Sequence, residues 1–428
     1  MKYIERKENR KTIEMKLSKS KIQVLYLYVS TLVGVILGVL ISIINTRYLD
    51  PVDYGDVHYV QNIINFFSGL MLFGYFVSGC RLLAIAKDKK EANEIKGAMT
   101  VILGLTVVAM MVIMAICGVV HSFILHKPFS HLFYYVIPFS GYALCLNYIN
   151  TSSQGDNSIG MIALARLLPS VVYLAAIAIV FNTFGATSTL ALLLNTGISF
   201  VILVFLILQN HPSFHNLKES WRKLKEENKR YGFHVYLGSV SNVSVQYVAG
   251  VTLGLFAANN VNVGYYSLAL TATGPLMMLP NVIGTTYFKR FATQDRIERK
   301  VLISTVAMST ITLVGFILLI YPVVDFLFND KYQIVAQYAA FLALASTLHG
   351  LGDVFNRFLG AHGKGKCLRN GAFVSGGVAL VGYTLGVYLW GINGAISTRI
   401  AFALTYFAMM VFYYLQLTKL YNYDKNNK

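Results

Sequence analysis

Charged side chains within or beside long apolar runs are the residues of this sequence best placed to do chemistry. They are Arg47, Arg81, Arg166, Arg357, Arg399 and Asp353. A charge buried in hydrocarbon is costly and usually has a functional reason. Arginine stays ionised at physiological pH, and its planar guanidinium binds phosphate oxygens through two parallel hydrogen bonds. Five arginines against one carboxylate therefore predict a membrane cavity that binds an anion such as phosphate.

Each of these residues also has a structural explanation. Four of the arginines lie near the ends of apolar runs, where they can snorkel to lipid headgroups. Arg399 instead lies well inside the last run. Asp353 precedes Arg357 by four residues, so the two share a helical face and are expected to neutralise each other as an ion pair. The alternative role for Asp353 is the coupling of transport to an ion.

Aromatic residues are abundant, with 28 tyrosines and 27 phenylalanines. Most of them are expected in interface belts and in the core. Four tyrosines flank the seventh and eighth apolar runs and are candidates for stacking on sugar rings: Tyr236, Tyr247, Tyr265 and Tyr266.

Catalytic and cofactor motifs are missing from the sequence. It has no Ser-His-Asp set and no paired carboxylates, and its four cysteines lack metal-site spacing. The basic turn at 363–366 lacks the spacing of a phosphate-binding loop. We therefore predict no catalytic residue, no metal and no cofactor, so the protein is not expected to be an enzyme. Transport without a nucleotide site must run on an ion gradient, on the substrate's own gradient or on coupled synthesis.

The elements that would position these residues are membrane-spanning helices. Hydrophobic residues make up 56% of the chain and charged residues 13%, with a mean hydropathy of +0.57, which excludes a water-soluble globular protein. Apolar runs of the required length predict an all-α polytopic membrane protein with about twelve spans. These lie near 23–45, 60–84, 97–120, 132–150, 158–181, 187–209, 233–257, 263–287, 301–322, 333–356, 368–390 and 393–417.

Basic residues are divided unevenly between the loops. The net charge is +17, but the charges form short clusters between spans rather than one patch, which argues against nucleic-acid binding. When the N-terminus is placed in the cytoplasm, 32 of the 36 Lys and Arg fall on the inner side. The positive-inside rule therefore predicts a multi-pass protein with both termini cytoplasmic.

A charged linker divides the spans into two sets of six. The predicted organisation is a basic tail at 1–22, an N-terminal lobe at 23–209, a linker at 210–232, a C-terminal lobe at 233–417 and a tail at 418–428. A weak internal repeat with an offset of 209 residues relates the lobes. It pairs Gly55 with Gly264, Arg81 with Arg290, and Gly185-Ala186 with Gly394-Ala395.

Four short motifs, in order, resemble those of the polysaccharide flippases in the multidrug/oligosaccharidyl-lipid/polysaccharide (MOP) exporter superfamily. The segment from Arg47 to Gly55 is similar to that family's R-x-L-x-P-x-x-Y/F-G motif. The others are Gly74 to Arg81, Lys229-Arg230-Tyr231-Gly232 and Val263-Gly264-Tyr265-Tyr266. Together with the twelve spans, the resemblance covers essentially the whole chain.

This resemblance implies two six-helix lobes around a central cationic cavity with alternating access, in a bacterial inner or plasma membrane. The implied substrate is an undecaprenyl-pyrophosphate-linked oligosaccharide, the repeat unit of an O-antigen or capsule, moved from the cytoplasmic to the outer leaflet. The implied partners are this lipid, the bilayer and other polysaccharide-assembly proteins of the membrane. Many relatives carry an acidic residue midway along the seventh helix, where this chain has Val248-Ala249-Gly250.

Two other functions are compatible with a polytopic chain. A cation-coupled multidrug exporter of the same fold would need an acidic cavity, and the sequence offers few buried carboxylates. A membrane enzyme of polysaccharide assembly would need a sizeable outer loop, and no outer loop exceeds about a dozen residues by the predicted spans.

Overall fold

The computed structural model describes residues 29–426, apart from the side chains of residues 238, 241, 242, 244 and 420–426. Within these limits all regular secondary structure is helical, which confirms the predicted class. The predicted tail at 1–22 and the start of the first span, 23–28, lie outside the described residues. So do the last two residues of the C-terminal tail.

Eight helices precede the linker. They are α1 (Val29–Tyr48), α2 (Pro51–Leu70), α3 (Tyr75–Ala84), α4 (Lys89–Val119), α5 (His131–Val136), α6 (Tyr142–Gly155), α7 (Ile159–Phe184) and α8 (Ser188–Gln209). The linker contains α9 (Leu217–Glu227) and a π-helical turn (Asn228–Gly232). After it come α10 (Phe233–Phe256), α11 (Val261–Thr286), α12 (Phe288–Phe291), α13 (Arg299–Leu327), α14 (Ile334–Ala361), α15 (Gly365–Val381) and α16 (Val387–Asn426).

These helices account for the twelve predicted spans. Within the described range, nine helical stretches are long and apolar enough to cross a membrane, and the bent pair α2–α3 makes a tenth. One of the nine runs for 55 residues, from Gly365 to Lys419, far beyond the roughly 20 residues of one crossing. Gly391 breaks it with φ 56° and ψ −132°, which divides it into two spans. The 24-residue α10 corresponds to the seventh predicted span.

The second span begins earlier than predicted. Helix α2 starts at Pro51 rather than near residue 60, with proline in the first turn, where its fixed φ suits a helix start. It then bends by 61° into α3 at Phe73 and Gly74, whose φ values are 44° and 80°. A glycine tolerates this left-handed conformation without steric cost.

Helices on either side of the linker pack mainly among themselves. In the first half α6 packs on α3, α7 and α8, and in the second half α14 packs on α11, α13 and α16. The two halves meet along α2, which contacts both α10 and α11.

Close backbone approach occurs where α2 crosses α11. A methyl group added at Gly55 would come within 1.9 Å of the Asn260 carbonyl oxygen, and one at Gly264 within 3.2 Å of the Gly55 Cα. Next to this crossing, the Asn260 Nδ2 donates to Asp56 Oδ1 at 2.7 Å. The two glycines that the repeat pairs therefore touch each other.

The other repeat pairs differ in outcome. Arg81 lies on the short helix α3 that follows α2, and Arg290 lies on the short helix α12 that follows α11. Each forms an ion pair, Arg81 with Glu227 at 2.7 Å and Arg290 with Glu298 at 2.6 Å. The third pair does not coincide in the structure. Gly185 ends α7 with φ 77°, whereas Gly394 lies inside α16, and the break with positive φ falls at Gly391.

Candidate functional site

A polar cavity of about 690 Å³ lies in the second half of the molecule, between α10, α11, α14, α15 and α16. Its lining includes amides, charged groups and aromatic rings: Gln246, Asn281, His349, Asp353, Asn356, Arg357, Arg369, Phe402 and Tyr406. Such a concave space with converging polar groups is the usual form of a ligand site. We call it the polar cavity.

Asp353 is held by two hydrogen-bond donors in this cavity. It accepts from the Tyr406 hydroxyl at 2.8 Å and from Asn281 Nδ2 at 3.1 Å. The Asn281 Oδ1 in turn accepts from Arg357 Nη2 at 3.4 Å. The predicted ion pair between Arg357 and Asp353 is absent from this described region, because Asn281 lies between the two charged groups.

Two arginines at the cavity carry positive charge without a carboxylate partner. Arg357 has the single weak bond to Asn281, and Arg369 bonds only to Asn370 Oδ1, at 3.4 Å. Both side chains are exposed. Most of their N–H groups are therefore available to an anion.

Arg399 lies behind the cavity wall that His349, Phe402 and Tyr406 form. Its guanidinium is 5.5 Å from the centroid of the Phe402 ring, and it interacts with the hydroxyls of Tyr383 and Tyr266. These two hydroxyl oxygens are 3.5 Å apart. Among the described residues no carboxylate pairs with Arg399, so hydroxyl dipoles and ring faces provide its local compensation.

The other three predicted arginines lie elsewhere. Arg47 Nε donates to the Leu327 carbonyl at 3.3 Å, and Arg166 Nε donates to Asn150 Oδ1 at 3.3 Å. Arg81 pairs with Glu227 of the linker. The structure thus brings Arg357 and Arg399 to one region of the second half but does not bring the other three there.

The predicted tyrosines also lie outside the polar cavity. Tyr236 donates to the Leu70 carbonyl, and Tyr265 donates to the Lys331 carbonyl at 2.9 Å. Tyr266 adjoins Arg399, and Tyr247 lies near Tyr142 of the first half. All four are engaged by protein groups or neighbouring rings.

Sequence reasoning missed several residues of the cavity. The sequence analysis gives Arg369 no role in the site, and it does not identify the aromatic wall of His349, Phe402 and Tyr406. A usable signal was present, because His349 and Asp353 lie four residues apart on α14, as do Phe402 and Tyr406 on α16. Two such pairs place polar and aromatic groups on one face of each helix.

An apolar groove of about 870 Å³ runs between α1, α11 and α13. We call it the apolar groove. Its lining is almost wholly hydrocarbon and includes Leu32, Ile36, Leu279, Val282 and Phe316. Helix α11 separates it from the polar cavity, because Asn281 lines the cavity while its near neighbours Leu279 and Val282 line the groove.

The linker helix α9 is tied to the first half by ionic contacts. Lys223 lies 3.0 Å from Glu91 and 3.3 Å from Glu219, and its hydrogen bonds to these carboxylates raise the pKa of Lys223 above its ordinary value. In the described part of the chain, no group of three or more His, Cys, Asp or Glu could hold a metal ion.

Comparison with known proteins supplies the family. The family described as polysaccharide biosynthesis protein matches residues 21–294, well over half of the chain. No curated protein sequence matches.

Solved structures share the fold at low sequence identity. The lipid II flippase MurJ in an inward closed conformation has a TM-score of 0.68 at 14% identity, covering 92% of this chain and 90% of that one. An inward-facing MATE-family multidrug resistance transporter of the MOP superfamily has a TM-score of 0.64 at 16% identity, covering 93% and 99%. A MOP-superfamily transporter from Pyrococcus furiosus, described as having a binding pocket of reversed polarity, has a TM-score of 0.52 at 15% identity, covering 92% and 94%.

Sequence family and fold agree on the type of molecule. The arrangement of helices is that of the MOP superfamily, as the motifs predicted. The chain belongs to the polysaccharide biosynthesis protein family, and it is a polytopic membrane protein with the MOP-superfamily fold.

Proposed function

We propose that this protein is a flippase for undecaprenyl-diphosphate-linked oligosaccharide repeat units, which it moves from the cytoplasmic to the outer leaflet for surface-polysaccharide assembly. The observation that carries the proposal is the pairing of a cationic polar cavity with an apolar groove on the two sides of α11. A lipid-linked sugar needs both surfaces, since its charged headgroup and sugars must be sheltered from hydrocarbon while its tail stays in it.

The charges of the polar cavity suit a diphosphate. The described lining of the cavity contains two arginines, Arg357 and Arg369, and one carboxylate, Asp353. This carboxylate already accepts two hydrogen bonds. A diphosphate bound between the two guanidiniums would replace water with charge-assisted hydrogen bonds, which are stronger than neutral ones. Arg399, a further cation without a carboxylate partner nearby, adds to the positive potential behind the cavity wall.

The apolar groove suits the isoprenoid tail. Its described lining offers the tail hydrocarbon contacts on three helices. A substrate with its headgroup near Asn281 and its tail along Leu279 and Val282 would need to bend only around one edge of α11.

The predicted orientation places the loading site where the substrate is made. The cavity is lined by Arg369 in the first turns of α15, which also carry Lys366 and follow Lys364, and the positive-inside rule assigns this basic segment to the cytoplasm. Arg47, Arg81 and Arg166 remain proposed contacts for headgroups at the helix ends.

A multidrug exporter is the competing function, because MATE transporters share the fold. A cationic drug would need a free carboxylate in the cavity. Asp353 instead accepts hydrogen bonds from Asn281 and Tyr406 and shares the cavity with two arginines. The charge balance therefore favours an anionic substrate.

The test is complementation of a deletion strain of the source bacterium. We expect the deletion to lose surface polysaccharide and to accumulate the lipid-linked repeat unit. Arg357→Gln and Arg399→Gln should fail to restore polysaccharide, at wild-type levels of protein in the membrane. Arg299→Gln is the matched control, because Arg299 is an exposed arginine at the start of α13, away from the cavity.

The outcomes separate the two functions. Loss of polymer with accumulation of the unflipped unit supports the flippase. Normal polymer in the deletion strain, together with a changed sensitivity to cationic drugs, would overturn it in favour of the exporter.

A further inference from the structure

We infer that Asp56 and Asn260 form a proton-binding site at the crossing of α2 and α11, and that closing this crossing takes up one proton from the outer side of the membrane. The site lies apart from the polar cavity, so the inference goes beyond the proposed function and does not depend on the substrate. Neither residue is among the site residues predicted from the sequence.

Asp56 is a carboxyl group buried without a cation. It lies in the second turn of α2, and only 7% of the residue is exposed. It accepts a hydrogen bond from Asn260 Nδ2 at 2.7 Å, and no Lys, Arg or His of the described residues forms an ion pair with it. An ionised carboxylate loses its hydration on burial, and one neutral donor does not replace it. The neutral, protonated form therefore suits this position.

Asn260 has an amide oxygen that lacks a donor. The residue is completely buried, and no hydrogen-bond donor among the described residues reaches its Oδ1. Its Nδ2 is already the donor to Asp56. Because nearly all buried polar atoms in proteins have a partner, an unpaired buried acceptor needs an explanation.

A proton on Asp56 explains both observations. A protonated carboxyl group donates a hydrogen bond as well as accepting one. Its hydroxyl can donate to Asn260 Oδ1 while its other oxygen keeps the bond from Nδ2, which is the two-bond pairing of an acid with an amide. The pair then needs no counter-ion.

The groups around the pair supply neither another donor nor a counter-ion. Gly254 of α10 faces the amide oxygen of Asn260, and a Cβ added there would lie 2.6 Å from it. Asp53, one turn before Asp56 on α2, adds a like charge. The other titratable groups nearby are engaged elsewhere: Lys127 with the Gly254 and Ala257 carbonyls, His121 with Tyr59, His58 with the Tyr54 ring and Lys331 with Asp50.

The pair joins the two halves of the molecule. Asp56 belongs to the first half and Asn260 to the second, beside the close backbone approach at Gly55. The predicted orientation places this end of α2 on the outer side. Separation of the helices there would expose Asp56 to water, in which an aspartate ionises at neutral pH. An ionised Asp56 would present only acceptors to Asn260 Oδ1, so the crossing closes again after it has taken up a proton.

The first experiment detects the proton itself. A protonated carboxyl group has its own C=O stretching band, and infrared spectra of the purified full-length protein are compared at neutral pH. We expect the wild-type spectrum to contain such a band and Asp56→Asn to lose it. Asp330→Asn is the matched control and should keep the band, because Asp330 is an exposed aspartate between α13 and α14.

Exchange of the two residues tests the pairing. Asp56→Asn/Asn260→Asp keeps one acid and one amide on opposite helices, and we expect it to regain a protonated-carboxyl band. Asp56→Asn alone should fold, because its new amide can make both hydrogen bonds with Asn260. A wild-type spectrum with no band that depends on Asp56 would overturn the inference. So would a band that sodium ions remove at constant pH, since a metal cation would then bind in place of the proton.

The second experiment measures the closing of the outer side. Spin labels at Thr183→Cys, near the end of α7, and at Leu389→Cys, near the break at Gly391, report the distance between the two halves in a background without the four native cysteines. We expect a longer distance to become populated in wild type as the pH rises. Asp56→Asn needs no proton to make both bonds, so it should stay at the short distance at every pH. Equal pH dependence in the two proteins, or none in wild type, would contradict proton-dependent closing.

Binding of farnesyl diphosphate, a short lipid diphosphate, tests the polar cavity separately. Asp56→Asn should bind it as wild type does, because Asp56 does not line the cavity. If the infrared band is absent while Arg357→Gln weakens this binding, the proton site is wrong and the flippase proposal stands. If the band is present but wild type does not bind the lipid diphosphate, the proton site stands and the proposed function fails.

Discussion

Asn281 keeps apart the two charged groups that were expected to neutralise each other. Its amide donates to Asp353 through Nδ2 and accepts from Arg357 through Oδ1. Each charge is thereby satisfied by a dipole, and Arg357 keeps most of its donors for a ligand. One neutral side chain from another helix thus leaves Arg357 as a free cation of the cavity.

Replacing this amide with a carboxylate should remove that free cation. In Asn281→Asp the new carboxyl group lies within hydrogen-bond reach of Arg357 and can pair with it, and it replaces a donor to Asp353 with a second acceptor. We expect the affinity for farnesyl diphosphate to fall by about tenfold or more, since two unit charges a few ångström apart near a protein surface interact by about 4 kcal/mol.

Asn259→Asp is the control for this change in charge. Asn259 is exposed in the α10–α11 turn, and its side-chain oxygen accepts from the Val261 amide, a role that aspartate can keep. Equal binding of farnesyl diphosphate by wild type and Asn281→Asp would show that Arg357 does not meet the diphosphate.

Residue types alone could identify part of the site. Arg357, Arg399 and Asp353 stood out because charges are rare in apolar spans. Arg369 did not, because a charge at a helix start looks like any loop charge, and only the packing of α15 against α10 and α14 brings it to the cavity. The contacts of Asn281 and of the aromatic wall depend on which faces of three helices meet, and a single sequence does not contain that information.

At the scale of elements, α2 shows where hydropathy misplaces a helix boundary. Its first turns carry Asp53, Asp56 and His58, so an apolar window begins only near residue 60. Asp56 is buried by its bond to Asn260, and Tyr54 packs on Tyr332. Polar residues at a helix–helix interface therefore look like a loop in the sequence. Hydropathy also does not reveal the bend at Phe73 and Gly74, because the segments on both sides of it are apolar.

The crossing of α2 and α11 leaves no room for a side chain at Gly55. Gly55→Ala places a methyl group against the Asn260 backbone, so the helices must shift. We expect a loss of about 1–3 kcal/mol in stability, the usual cost of overpacking, and a lower midpoint of thermal unfolding for the detergent-purified protein.

Gly104→Ala is the matched control for this glycine. Gly104 lies within α4, and an added methyl group there meets nothing within 4 Å. The same substitution should be neutral or stabilising by about 0.5–1 kcal/mol, because glycine weakens a helix interior. Equal midpoints for Gly55→Ala and wild type would contradict the tight crossing.

At the scale of the whole molecule, α2 and α10 pack against each other along their length, and we call this contact the seam. Tyr59 packs on Gly254, Asn62 on Gly250, and Gly69 on Val243. The Tyr236 hydroxyl donates to the Leu70 carbonyl at one end of this contact, and at the other end Lys127, from the loop before α5, donates to the Ala257 carbonyl. Alternating access between two lobes requires at least part of this seam to open.

Cross-linking the seam tests that requirement. In Gly69→Cys/Val243→Cys, made in a background without the four native cysteines, the two Cβ atoms lie close enough for a disulfide after a small shift. We expect oxidation to abolish surface-polysaccharide assembly in the complemented strain and reduction to restore it. Each single-cysteine variant should be insensitive to oxidation. Full activity of the cross-linked protein would show that this seam does not open.

The contact between Gly55 and Gly264 has a consequence for how the two halves are related. In a symmetric dimer, a residue that touches its own copy lies on the two-fold axis of an isologous interface. The two glycines occupy matching positions of the internal repeat, and they touch within a single chain. At this crossing the two halves therefore meet as the subunits of a homodimer meet at its two-fold axis. In such an interface the two glycines form one site, and because no residue is smaller than glycine, a side chain added at either position cannot be compensated at the other and must move the helices apart.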